Sequence, residues 1–151
     1  MAKKALKIFI TLAILGLVGY QYFYYVDRAH RCFIKIKPSY LEFSTSNIKE
    51  AIRILKYAVP EEYEKLCTYV DTIDPNISCG GFQGGCYSSY NRNVKEIDIG
   101  TANDDFLGWT AGVIAHETCH AIQFQEIGFD GFDEGECYAI DNKVMKAVID
   151  F

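Results

Sequence analysis

From Ile8 to Val26 no residue carries a charge, and Lys3, Lys4 and Lys7 precede the run. An apolar stretch of this length can cross about 30 Å of hydrocarbon as a helix. Tyr20, Tyr22, Phe23, Tyr24 and Tyr25 close it, where an aromatic belt would meet a membrane surface. The pattern predicts a membrane anchor over residues 1–26. A cleaved signal peptide is the alternative, with Ile8 to Gly19 as its apolar region, although no convincing small-x-small cleavage site follows. Asp27 to Lys37 is short and basic and reads as a juxtamembrane connector, part of a linker over 27–44.

Residues 45–151 read as one folded domain. Ile48, Ile52, Leu55 and Val59 recur at helical spacing, and Asn47 with Glu50 resembles a capping box. Pro60 ends that helix and can open the next at its first turn, where Glu61, Glu62 and Glu64 suit the helix dipole. The pattern then shortens. Tyr69–Ile73, Cys86–Tyr90 and Val94–Ile99 read as strands, with turns at Asp74-Pro75-Asn76 and Asn91-Arg92-Asn93. Only Ile97 and Ile99 share an apolar face in the last of these, which suggests an edge strand. A helix should run from about Asp104, capped by Thr101 or Asn103, to about Ile127, with Gly128 as its left-handed terminator. A final helix spans Glu136 to Phe151. The fold class is therefore α+β: a transmembrane helix, then helices packed on a short mixed or antiparallel sheet.

Charge narrows the partners. Beyond residue 26 there are 20 Asp and Glu against 12 Lys and Arg, a net of −8. Nucleic acid is an unsuitable partner, because phosphate binding needs a cationic face, whereas a negative field favours a divalent cation. All six cysteines follow the anchor, which suggests an oxidising compartment and the extracytoplasmic side, or secretion after signal cleavage. Lysines and arginines flank both ends of the span, so the positive-inside rule decides little. A disulfide between Cys79 and Cys86 would close the glycine-rich loop between them. Cys119 and Cys137 would meet if their helices pack, which leaves Cys32 with Cys67; the alternatives are reduced, buried thiols or thiolate ligation of a metal.

Two of the three histidines are His116 and His120, four apart in a predicted helix. That spacing places them about 40° apart on one face, so both rings can reach one zinc ion. Glu117 sits about 100° around from His116, where it can reach a water without becoming a ligand. These are the parts of H-E-x-x-H: two ligands and a general base. A catalytic zinc takes a third protein ligand, and Asp130, Asp133, Glu134, Glu136 and Asp141 follow downstream.

The helix Ala115-His116-Glu117-Thr118-Cys119-His120-Ala121-Ile122-Gln123, followed by Glu136-Cys137-Tyr138-Ala139 on a second helix, resembles a gluzincin, a thermolysin-like zinc peptidase, in its minimal single-domain form. The resemblance covers roughly residues 47 to 151 in layout. It implies a zincin-like fold, Zn2+ held by His116, His120 and Glu136, Glu117 as general base, and a peptide or protein substrate. Glu134 is the rival third ligand. Gluzincins place an aspartate four residues after the ligand glutamate; here that position is Ile140 and the acid is Asp141. The group that orients a metal histidine is then still to be found. Tyr87, Tyr90 and Tyr138 are candidates to stabilise an oxyanion. A membrane-anchored zinc module without catalysis is the alternative function.

Overall fold

The computed structural model describes residues 2–38, 45–76, 78–79, 84–87, 93–100, 107–128 and 133–149. It opens with helix α1, Ala2–Phe23. Leu6, Ile8, Phe9, Leu12 and Leu15 on it are all exposed. From Lys4 to Phe23 the helix is long and apolar enough to cross a membrane or to act as a signal sequence.

The chain turns directly from α1 into a hairpin of strands β1, Tyr24–Asp27, and β2, Cys32–Ile36. This corrects the reading of 27–44 as a linker, at least as far as residue 36. Cys32, Ile34 and Ile36 point inward and are fully buried, whereas Phe33 and Lys35 point out. The period-two pattern was present in the sequence but was obscured by the basic residues on its outer face. Arg31 takes a positive φ of 54° in the turn. Residues 39–44 lie outside the described residues.

Helix α2, Ser46–Ala58, buries Ile48, Ala51, Ile52 and Leu55. Its N-cap residue is Thr45, and Asn47 lies inside the helix, so the expected capping box does not form. The Thr45 hydroxyl donates instead to the carbonyl of Tyr22 at 2.6 Å, tying α2 to the end of α1. Pro60 opens helix α3, Pro60–Tyr69, as the sequence suggested. Strand β3, Thr72–Pro75, follows, so the predicted strand at 69–73 starts later and Pro75 lies in it rather than in a turn. Strands β4, Gly85–Cys86, and β5, Glu96–Ile99, complete a mixed sheet of order β1-β2-β3-β5-β4.

β2, β3 and β5 run parallel, and the two outer strands are antiparallel to their neighbours. β5 is thus interior, not an edge strand: Thr72 to Pro75 of β3 pair with it on one side and β4 on the other. Ile97 and Ile99 are buried, and the edge belongs to β4.

Helix α4, Leu107–Glu126, runs through the middle, against α2, α3, the last helix and the β4–β5 side of the sheet. Thirteen of its residues are buried. Small side chains, among them Ala111, Gly112, Ala115 and Ala121, let neighbours approach on all sides. Gly128 ends it with a φ of +90°. Helix α5, Glu134–Ile149, begins two residues before the expected start and packs along α4. The cap candidates at 101–103 and the turn at 129–132 lie outside the described residues.

All three expected cysteine pairs are disulfides: Cys32–Cys67, Cys79–Cys86 and Cys119–Cys137. They join β2 to α3, close the loop before β4, and fasten α4 to α5.

Candidate metal centre

His116 and His120 project from one face of α4, and their Nε2 atoms lie 3.1 Å apart. Glu134, in the first turn of α5, places Oε2 3.4 Å from each of them. Three donor atoms thus form a triangle with sides of 3.1, 3.4 and 3.4 Å. Ligands about 2.05 Å from a tetrahedral ion stand about 3.3 Å from one another. The triangle therefore has the dimensions of one face of such a coordination shell.

The protonation pattern follows from the surrounding hydrogen bonds. Gln123, one turn after His120 and 3% exposed, has no freedom in its amide. Its Nε2 donates to Glu136 Oε2 at 2.8 Å and to the Asp133 carbonyl at 3.1 Å. Its Oε1 accepts from the Asp133 amide at 3.2 Å. The remaining partner of Oε1 is His120 Nδ1 at 3.1 Å, which must be the donor. In a neutral ring His120 Nε2 is then the acceptor nitrogen. His116, its Nε2 turned to His120, hydrogen-bonds the Cys137 backbone, and burial holds its pKa below the usual value. Two lone pairs and a carboxylate oxygen face one another, an arrangement that a divalent cation would relieve.

Glu136, which the resemblance implied as the third ligand, is not gathered into this group. Its Oε2 is held by Gln123. Asp133 caps the start of α5, its Oδ1 accepting from the amides of Gly135 and Glu136. Asp130 and Tyr90 lie outside the described residues. Cys119 and Cys137 are joined to each other, so neither offers a thiolate. The orienting group that the sequence did not reveal is Gln123. Its signal was a polar residue three positions after His120 on a helix that is otherwise mostly buried.

Glu117 is 4% exposed. The Tyr87 backbone amide, just past β4, bonds its carboxylate, while Oε2 is buried with no hydrogen-bond partner among the described residues. Burial, with the charges of Glu134 and Asp98, pushes its pKa up to about 8. β4 crosses directly above it. A Cβ on Gly85 would stand 2.7 Å from Glu117 Cγ and 2.7 Å from Val113 Cγ1, so only glycine lets the strand pass this close.

A cleft of about 300 Å³ opens beside His116 and Glu117, lined by both and by Gly84, Gly85, Trp109, Val113, Tyr138 and Asp141. The Tyr138 ring rests 4.7 Å from that of His116. Asp141, raised in pKa by burial, fits over the bare backbone of Gly112, where a side chain would collide with its Oδ1.

Two other groups have ligand-like spacing. One contains the disulfide-bonded Cys79 and Cys86. The other, Asp74, Glu96 and Asp98, is already served by Lys37, which donates to Asp74 at 2.9 Å and Glu96 at 2.6 Å. His30 is bonded to Asp27 near the hairpin turn. Compared with known proteins, the chain matches no family model, no curated protein and no solved structure.

Proposed function

We propose that this chain is a membrane-anchored zinc peptidase, with His116, His120 and Glu134 holding the ion and Glu117 acting as general base. The observation that carries this reading is the donor triangle beside a buried carboxylate with a free oxygen. Imidazole nitrogens with one carboxylate suit zinc, and three ligands leave a position open. A bound zinc would polarise a scissile carbonyl and make water a nucleophile near neutral pH. The chain's own groups account for the rest. Gln123 and the Cys137 backbone fix the two rings, so their Nε2 lone pairs point into the site. Glu117, steadied by the Tyr87 amide, takes a proton from the attacking water through its free oxygen and passes it to the leaving amine.

The edge of β4 runs along the cleft and offers backbone groups to an extended peptide by strand addition. Apolar Trp109, Val113 and Tyr138 suit side chains of a peptide rather than a strongly charged small molecule.

The test has two parts. Purified protein should carry one zinc per chain, lost in His120→Ala, and should cleave members of a peptide library. Glu117→Gln should keep the zinc and lose about 10²- to 10⁴-fold in turnover. Zinc bound with no cleavage of any peptide would mean a binding module instead; no zinc at all would end the metal reading.

A further inference from the structure

A second cavity, of about 610 Å³, lies where α1 meets the body. Its lining includes four cations, Arg28, Lys49, Arg53 and Lys56, and one carboxylate, Asp27. Asp27 is already committed: Lys56 donates to it at 2.7 Å, Tyr63 at 2.9 Å, and His30 lies 2.9 Å away. Lys56 therefore brings no unmatched charge. Lys49 points its ammonium at the carbonyls that end α1, those of Gln21 and Tyr22, and among the described residues has no carboxylate there. Burial and the neighbouring Arg53 lower its pKa. Arg53 pairs with Glu50 on the surface, where both side chains are about half exposed, a contact worth little. The cavity thus holds an excess of positive charge in a protein body that is otherwise strongly acidic.

Its position adds a second, independent argument. The cavity opens at the end of the apolar helix, beside Tyr20 and Tyr24, whose rings stack 5.1 Å apart. If α1 spans a bilayer, these tyrosines mark the headgroup level. Tyr57, on α2, completes the rim and is 65% exposed.

We propose that this cavity binds the phosphate of an anionic lipid headgroup, with Arg28, Lys49 and Arg53 as the cations that receive it. The inference rests on α1 being a membrane anchor and is independent of the zinc site. Binding there would press the hairpin β1–β2 and α2 against the bilayer and fix the attitude of the body above it.

The test uses the full chain in neutral detergent. It is titrated with phosphatidylglycerol and with phosphatidylcholine of the same acyl chains, each carrying a fluorescent label, and the change in anisotropy is read. Phosphatidylglycerol should bind more tightly. Arg53→Gln should weaken it about fivefold, and Arg28→Gln in addition by a similar factor. Lys49 is left intact because it also holds the end of α1. Equal binding of the two lipids, or binding unaffected by both substitutions, overturns the proposal. So does displacement of the lipid by millimolar glycerol phosphate alone, which would indicate a soluble phosphate ligand. Flotation with phosphatidylcholine vesicles tests the anchor separately: a chain that does not insert loses the anchor reading and this inference with it.

Discussion

Glu134 and Glu136 stand two positions apart on α5, about 200° around its axis, so one helix face cannot present both to the imidazoles. The sequence offered both because it did not fix the phase of that helix. Packing fixes it, through the Cys119–Cys137 bond and the Gln123–Glu136 hydrogen bond. Glu134→Ala should therefore weaken zinc binding about 100-fold or more, and Glu136→Ala by no more than about tenfold, through loss of order at Gln123. Competition with a chromophoric chelator measures both; the reverse order would return the third ligand to Glu136. Glu117 supplies a pH prediction. Its folded pKa of about 8 lies above the ordinary 4.5, so the metal-free protein keeps a proton there that the unfolded chain has lost. Stability falls as pH rises through this window. Below about 6.5 the neutral, buried His116 acts in the opposite direction, since acid charges the unfolded histidine first. Between pH 6.5 and 8 the metal-free form should lose about 2 kcal/mol, seen by denaturant unfolding, and Glu117→Gln should flatten the trend. At pH 7 zinc binding should displace that proton, which calorimetry in buffers of different ionisation enthalpy would detect.

At the scale of elements, the site is a clamp between α4 and α5. α4 carries the two histidines and Glu117, the proposed base; α5 carries the Glu134 carboxylate; a disulfide closing an 18-residue separation joins them. Its removal in the double variant Cys119→Ala/Cys137→Ala should cost about 3 kcal/mol of stability and weaken zinc binding, because Glu134 is then held less firmly. Thermal melts with and without zinc would check both, and unchanged zinc affinity would show that packing alone sets the site. The elements most legible in the sequence were those with a full helical period or a clear stop: the break at Pro60, α4 with its Gly128 terminator, and α5. The motif on α4 was legible for the same reason, since i and i+4 positions have fixed geometry whatever the tertiary fold. Pairings between strands were not legible. β5 looked like an edge because half its residues are polar, yet Glu96 is bonded to Lys37 and one oxygen of Asp98 to Asn76, so these polar positions find partners beside the sheet, with Asp98 Oδ1 left unpaired among the described residues. Gly85 read only as part of a glycine-rich loop, whereas contact with Glu117 dictates it.

For the whole molecule, the proposal that α1 is a membrane anchor raises the question of which side of the membrane the body would occupy. Lysines and arginines near the two ends of α1 do not decide it. The disulfides bear on it more directly: Cys32–Cys67 fastens the hairpin next to the anchor to α3, and Cys119–Cys137 braces the site, so a reducing cytosol would remove covalent ties from both ends of the body. On the proposed anchored reading we therefore expect the body on the extracytoplasmic side. Full-length protein expressed in cells and recovered in the membrane fraction should show no maleimide-reactive thiol after denaturation, and six after reduction. Protease added outside spheroplasts should reach exposed chain around Tyr57 and Ile127 while the short segment before Lys4 stays protected. Free thiols together with protection of the body from external protease would place it in the cytosol, where the braces could not persist and the zinc site would depend on packing alone.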